Sequence, residues 1–377
     1  MADYQLAVAG GGPAGARTAE LLARQGLSVV LFEAGGAGHE VLCSGLLNKE
    51  AQAALGTELP AHVRVEPFRP LLEFCDLDNR IRRRYDPDYW NMSRPLFDRW
   101  LRDRAVSAGA DVRMESRVRR LEPVEGGVAL HVGRDRIRAR IAVDATGWRS
   151  ISRKLLGVRV APQVHAFQGL CSVGIQDDAM VAMYKSAATP YFGWIVPKGG
   201  GQFLLGAGFP QGSQATRSQQ DDPWLKLAPF ADALNEAGHA VDTSLGKPIG
   251  HPITCLSNMN QLWWGGNGIF PVGEAAGMVS PSSGDGISYC LQGAAALAGA
   301  LAELDLSSLL YSPAGLDPAD HNRIARRARQ LMRPALAELR FNIVKAWTAA
   351  RPALRGPAAG LLPLFLRRKV DVLPAWN

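Results

Sequence analysis

Gly10, Gly12 and Gly15 stand at the spacing with which a backbone wraps a pyrophosphate, and Glu33 follows where a carboxylate accepts from a ribose hydroxyl. The three glycines have separate tasks: a tight turn, close backbone approach to the phosphates, and close packing of helix on strand. Pro13 and Ala14 sit within the turn, so the free N–H groups and positive dipole end of a helix would face the anion. Two later stretches carry related chemistry. Asp144-Ala145-Thr146-Gly147 ends an apolar run in a small-residue turn, as needed where a second segment of backbone closes over a nucleotide. Gly273-Glu274-Ala275-Ala276-Gly277, with Pro281 and Gly284-Asp285-Gly286-Ile287 beyond it, sets two glycine turns ahead of a helix. Glu274 is placed there to accept from a polyol hydroxyl. The chemistry these residues suit is the binding of an extended dinucleotide.

Particular elements must hold them. Leu6–Ala9 is an apolar run of the buried parallel-strand kind, and Ala16–Arg24 has helical Ala/Leu spacing closed by Gly26. Val29–Phe32 then makes a second strand that delivers Glu33, completing a βαβ unit. Ser93 and Pro95 start a helix with the apolar stripe Phe97, Trp100 and Leu101. Arg94, at that start, meets either a phosphate or cofactor edge or a nearby acid. Strands carry Leu71–Tyr85, where Arg80, Arg82, Arg83 and Arg84 read as the water-facing charges of an edge strand. Between His165 and Gly208 the pattern is β-rich, and Tyr191-Phe192-Gly193-Trp194-Ile195-Val196-Pro197 is an aromatic strand bounded by prolines. Aromatics in a strand most simply pack a core. Cys43, beside Ser44 and Gly45, reads either as a small buried apolar residue or as a proton donor at the cofactor; the residues alone favour the former.

Bulk properties narrow the class. The 377 residues suffice for one large or two moderate domains, and 47% hydrophobic with 20% charged residues is ordinary for a globular protein. Five scattered cysteines without a CxxC spacing indicate neither a disulfide framework nor a metal site, and suit a reducing cytoplasm. The βαβ unit opens almost at Met1, so no targeting segment is expected before it, and no apolar run has the length of a membrane span. The net charge of +7 is uneven: from Asp320 to Lys369 there are twelve Lys/Arg against only Asp320 and Glu338. This basic C-terminal region is either a solvated helical face with a packed tail or a peripheral contact with anionic lipid. Nucleic acid is not expected, because no binding motif accompanies the basic residues. No second GxGxxG unit exists, so no separate NAD(P)H domain is expected.

The motifs resemble those of flavoproteins with the para-hydroxybenzoate-hydroxylase fold and, within them, the geranylgeranyl reductase family; together they span nearly the whole chain. Gly10-x-Gly12-x-x-Gly15 with Glu33 and Ala34 resembles the FAD adenosine and pyrophosphate site. Ala145-Thr146-Gly147, with Ser150 and Arg153, resembles the second flavin-contacting turn, Thr146 standing where many relatives have Asp. Gly273-Glu274, Pro281 and Gly284-Asp285-Gly286-Ile287 resemble the ribityl and ring motif, with Glu274 for the commoner Asp. Arg94 and Val118 join these implied cofactor contacts. Cys43-Ser44-Gly45 resembles a Cys-Gly-Gly segment of the reductases, and Phe192-x-Trp194-x-Val196-Pro197 resembles their Tyr-x-Trp-x-Phe-Pro signature.

The resemblance implies an α/β (α+β) fold: a Rossmann-like FAD-binding domain, a β-sheet substrate domain and C-terminal helices. The expected boundaries are 1–70, 91–158 and 263–305 for the discontinuous FAD domain, 71–90 and 159–262 for the sheet domain, and 306–377 for the Arg-rich region. It further implies an FAD-dependent oxidoreductase in which reduced flavin gives hydride to a C=C bond of a prenyl-like or lipidic substrate. Cys43 or a water would protonate the neighbouring carbon, with Trp194 and Phe192 at the reacting atoms and Tyr191, Val196 and Pro197 completing the pocket. NAD(P)H or a reduced carrier protein would supply electrons. The alternative is a monooxygenase acting on an aromatic or electron-rich substrate. A halogenase would need a tunnel lysine, for which Lys49 and Lys198 are nominal candidates; a non-catalytic flavoprotein is the remaining class.

Overall fold

In the computed structural model, the strand Tyr4–Ala9 buries Leu6 to Ala9 completely, so it can only lie inside a sheet. It pairs in parallel with Val29–Phe32 on one side and Asp135–Asp144 on the other. Asp111–Arg113 extends the sheet beyond Val29–Phe32, and antiparallel Gly127–Val132 and Val118–Val124 continue it on the far side. The short strand Ile269–Pro271 joins only the last residues of Asp135–Asp144, matching Ala142 to Ile269 and Asp144 to Pro271. Ala9, Phe32, Asp144 and Pro271 therefore end together, at the carboxyl end where open α/β sheets bind ligands. The structure describes residues 3–36, 41–159, 162–174, 179–212, 223–303, 316–360 and 371–373.

Three helices cover one face of this sheet. Pro13–Arg24 contributes Ala16, Ala19 and Leu22, Arg94–Ser107 contributes Phe97 and Leu101, and Ile287–Ala302 contributes Leu291, Ala294 and Leu297 to one core. Ser93 stands at the cap position of its helix, but its side chain makes no capping bond and Pro95 falls one residue inside Arg94.

A second, nine-stranded sheet runs in the order Val241–Asp242, Gln163–Val173, Gln202–Pro210, Gly193–Pro197, Met180–Tyr184, Leu72–Asp76, Ile81–Tyr85 and Asp371–Leu373, with Ile249–Thr254 also on Gln163–Val173. The helix Pro223–Glu236 covers one face: a Cβ on Gly193 would lie 2.6 Å from the Phe230 ring. The arginines of Ile81–Tyr85 do not simply face water. Glu73 is buried on the paired strand, and Arg82 and Arg84 both close on it, at 2.7 and 2.8 Å.

Helices Pro318–Leu331, Arg333–Ala349 and Pro352–Gly360 complete the described chain. Ile324 and Ala328 enter the first core, and Arg355 fastens the last helix to Asp76 at 2.9 Å. The apolar and basic stretch 361–369 lies outside the described residues. Among the described residues no helix is long and apolar enough to cross a membrane, and no cluster of His, Cys, Asp and Glu could hold a metal ion.

His321 gives this packing a pH signature. Its ring is buried and stacks on Phe270 at 4.3 Å, and burial pushes its pKa down to about 4. Between about pH 6.5 and 4 the unfolded chain binds a proton that the folded chain refuses. Stability should therefore fall by about 3 kcal/mol as pH drops through that window, and level off below it. Urea midpoints at pH 7 and 4.5 should show this loss shrink in His321→Phe. Equal pH slopes in the two proteins would refute the assignment.

Candidate functional site

The glycine turn shows three different constraints. Gly10 has a φ of +102°, and a Cβ there would lie 2.3 Å from the carbonyl oxygen of Ala145. On Gly15 a Cβ would fall 1.8 Å from the carbonyl oxygen of Gly10. On Gly12 it would meet nothing within 4 Å, and no side chain caps the helix that starts there. An open approach to an uncapped helix start fits a pyrophosphate. Glu33 is fixed beside it, accepting from Gly11 N–H and Gly35 N–H, each at 2.6 Å; Ala34 is exposed next to it. Val118 lies apart, buried in the core on the other face of the sheet.

The second turn is organised by Asp144, whose buried carboxylate accepts five hydrogen bonds. They come from the N–H and Oγ1 of Thr146, the N–H and Oγ of Ser152, and the Oγ of Ser150. This holds Ala145 over Gly10, with Ala145 N–H donating to Ala9 at 2.8 Å. Gly147 has a φ of +69° and lies against Glu274. Glu274 accepts from Thr254 N–H at 2.8 Å while its other oxygen lies beside Gly147, so it ties the second sheet to the turn. Burial holds its carboxyl above the usual range. Arg153 is buried and donates to the carbonyls of Ala275, Ala276, Arg159 and Gln261, clamping the segment after Gly273. Gly273 fits between Ala14 and Cys290, whose sulfur would lie 2.6 Å from an added Cβ.

At the other end, Pro281 and Gly284 turn the chain into the Ile287 helix. Asp285 accepts from Asn48 Nδ2 at 2.8 Å and from Ser288 Oγ at 2.5 Å, and burial raises its pKa. Gly286 and Ile287 follow at the helix start. Asn48 also caps the helix Lys49–Leu55 through Ala51 N–H, so one side chain joins that helix to the turn.

Cys43, Ser44 and Gly45 lie beneath the second sheet. The Cys43 sulfur accepts from Gly45 N–H at 3.3 Å and lies in the field of the Arg94 guanidinium. Arg94 donates to Asp98 at 2.8 Å, the acid pairing that the sequence left as one of its two alternatives. Burial pushes the thiols of Cys75 and Cys290 up to about 12 and that of Cys171 up to about 11, which keeps them inert. Lys198 completes the corner. Its Nζ donates to Asn91 Oδ1 at 2.8 Å and occupies space that only a glycine at 45 leaves free, since a Cβ there would be 2.6 Å away. Burial pushes the Lys198 ammonium down to about 8, and the nearby Cys43 partly opposes that. Lys49 is instead an exposed partner of Asp88.

Strand register delivers the aromatic wall. Gln168, Gly206, Trp194, Ala182 and Phe74 stand opposite one another across five strands. Trp194 lies flat on Gly206, where a Cβ would be 2.4 Å from its ring, and packs in one cluster with Leu46 and Val196. Phe192 meets Trp194 edge-on at 5.8 Å. The Tyr191 hydroxyl interacts with Cys255, and burial raises its pKa to about 12. Pro197 ends the strand, its carbonyl accepting from Asn91 Nδ2 at 2.8 Å. Gln168 Nε2 donates to the Cys43 carbonyl at 3.1 Å. Gln168 Oε1 and Trp194 Nε1 are buried without a hydrogen-bond partner among the described residues, and such groups ask for a ligand or water.

A dinucleotide cradle at the carboxyl end of a parallel sheet, roofed by an aromatic sheet over a polar corner, defines a flavin-dependent oxidoreductase. The chain belongs to the FAD binding domain family, which it matches over residues 3–335. Its cofactor is FAD, and the open space and uncapped helix start at Gly12 fit the group's phosphates. A relative is protein CbrA of Escherichia coli O6:H1, 28% identical over 369 residues that cover 94% of this chain and 92% of that protein. Among solved structures, a geranylgeranyl bacteriochlorophyll reductase-like protein from Thermoplasma acidophilum superposes with a TM-score of 0.76 at 19% identity, covering 92% of this chain and 87% of that one. Pseudomonas aeruginosa PqsL, in complex with 2-aminobenzoylacetate, gives 0.68 at 19% identity, covering 93% and 98%. At such identities the likeness is one of fold.

Proposed function

We propose that this enzyme saturates a C=C bond of a hydrophobic, prenyl-like or lipidic substrate. The observation that carries the reading is the Cys43 thiol, set between the Arg94 guanidinium and buried Lys198 under the Trp194 wall. Bound and reduced, the flavin supplies a hydride to one alkene carbon. Cys43 gives its proton to the neighbouring carbon, and the thiolate left behind is stabilised by the Arg94 guanidinium and the Lys198 ammonium. Phe192, Trp194 and Val196 hold the chain of the substrate and exclude water. Lys198 or solvent returns the proton to Cys43, and NAD(P)H or a reduced carrier protein restores the two electrons. A substrate of this kind is met at a lipid surface, and the basic C-terminal region supplies a contact there.

One observation favours hydroxylation of an aromatic or electron-rich substrate instead. The unpaired Trp194 Nε1 and Gln168 Oε1 offer a donor and an acceptor to a polar ring substituent. A single experiment separates the two: dithionite-reduced enzyme is mixed with geranylgeraniol in detergent under strict anaerobiosis, and products are read by mass. Gain of two hydrogens without oxygen is expected. Turnover that requires oxygen and adds an oxygen atom would replace the reductase with the hydroxylase.

A further inference from the structure

The helix Arg333–Ala349 has two apolar faces where a globular protein needs one. Ala335 and Leu339 are buried against Met278 and Tyr289, while Phe341, Val344 and Trp347 are 52, 56 and 56% exposed on the opposite side. Five of the ten large apolar side chains exposed among the described residues lie between Leu331 and Leu354, so the exposure is concentrated rather than scattered. The charges on this side have one sign. Arg333, Arg340 and Arg351 are exposed along it, and Arg351 sits 3.8 Å over the Trp347 ring. Arg333 and Arg340 have no carboxylate partner among the described residues. Glu338, the one acid from Arg333 to Arg351, is turned to Asn342 and half-buried.

We infer that this face is a docking surface for an anionic lipid bilayer. The occupant follows from the combination: apolar side chains enter the acyl boundary, a tryptophan suits the interface, and the guanidinium groups meet headgroup phosphates. The helix is also wired to the site. Its Asn342 donates to Tyr289 Oη at 3.2 Å and accepts from Ser282 Oγ at 3.3 Å, within the turn between Pro281 and Gly286. A bilayer on this face would lie behind the ring-binding turn, where a lipidic substrate must arrive. This rests on the membrane contact proposed above and names its surface.

The test is sedimentation of the flavin-loaded full chain with vesicles of phosphatidylcholine, alone or mixed with phosphatidylglycerol, without substrate. The wild type should pellet with the mixed vesicles and release as salt rises from about 0.1 to about 1 M. Arg333→Gln with Arg340→Gln should weaken binding roughly 25-fold, at roughly fivefold per cation. Phe341→Ser, Val344→Ser and Trp347→Ser together should abolish it with the flavin spectrum unchanged. Absence of wild-type binding would overturn the membrane contact itself, and full binding by the triple variant would overturn this surface. Self-association in solution that the triple variant removes, without vesicle binding, would assign the face to a second copy. Neither failure touches the reaction, which is read in detergent.

Discussion

Replacing Gly12 by alanine is expected to give a folded protein that no longer retains its flavin, whereas Gly15→Ala is expected to leave little folded protein. The two glycines are three residues apart, and neither needs a positive φ. What differs is the space beyond the α-carbon. At Gly12 the backbone sits at φ −72° and an added methyl meets no protein atom within 4 Å, so stability should stay within about 1 kcal/mol of the parent apoprotein. The same methyl stands where the pyrophosphate must approach the helix start, and affinity should fall at least about 100-fold, close to 3 kcal/mol. At Gly15 the methyl would lie 1.8 Å from the Gly10 carbonyl oxygen and 3.1 Å from Val8 Cγ1. The close neighbour is backbone of the turn itself, so relief requires moving helix off strand, at a cost of about 4 kcal/mol or more. Flavin-to-protein absorbance after gel filtration, with melting of both apoproteins, distinguishes the cases. Stoichiometric flavin in Gly12→Ala would show that the phosphates do not pass this turn. Comparing apoproteins matters, because a bound cofactor stabilises whatever binds it.

The same contrast explains what the sequence could disclose. Glycine spacing, the strand before it and Glu33 were legible because they are local: a few residues of backbone define the turn and the helix start. The aromatic strand around Trp194 was legible as a strand, and its resemblance marked it as a pocket. What was not legible depends on register. Gln168 faces Trp194 only because Gln163–Val173 pairs with Gln202–Pro210 so that Gln168 meets Gly206, and no local pattern sets that match. A lone Gln on a strand facing a glycine and a tryptophan would have been the signal. Arg80 to Arg84 read as an edge, but the tertiary fold buries Glu73 beside them and covers the strand with Asp371–Leu373. Lys198 and Lys49 looked alike as sequence; burial beside Gly45 separates one from the other. Arg153 carries the flavin motif's identity, yet its guanidinium is spent on four backbone carbonyls.

The second large effect is expected at Cys43. Cys43→Ala should retain flavin and fold but lose turnover by about 10²- to 10³-fold, the contribution of a positioned general acid. The residue is partly buried against the main core, and losing one sulfur there removes little packing, so a rate loss without a melting shift isolates the chemistry. Lys198 adds a sign that a purely structural role would not give. Burial places its pKa near 8, so below that pH the ammonium supports the thiolate formed at Cys43 and can return its proton. The rate should therefore decline as pH rises through about 8, and Lys198→Met should lower the rate below pH 8 while removing that decline. Arg94 stays charged throughout, paired to Asp98, so it cannot produce the inflection. A Cys43→Ala enzyme with unchanged turnover would assign the proton to water and leave the Cys43 corner a matter of packing alone. A pH profile identical in Lys198→Met would remove the lysine from the proton path while leaving Cys43 in it, because the thiol can also be restored by solvent.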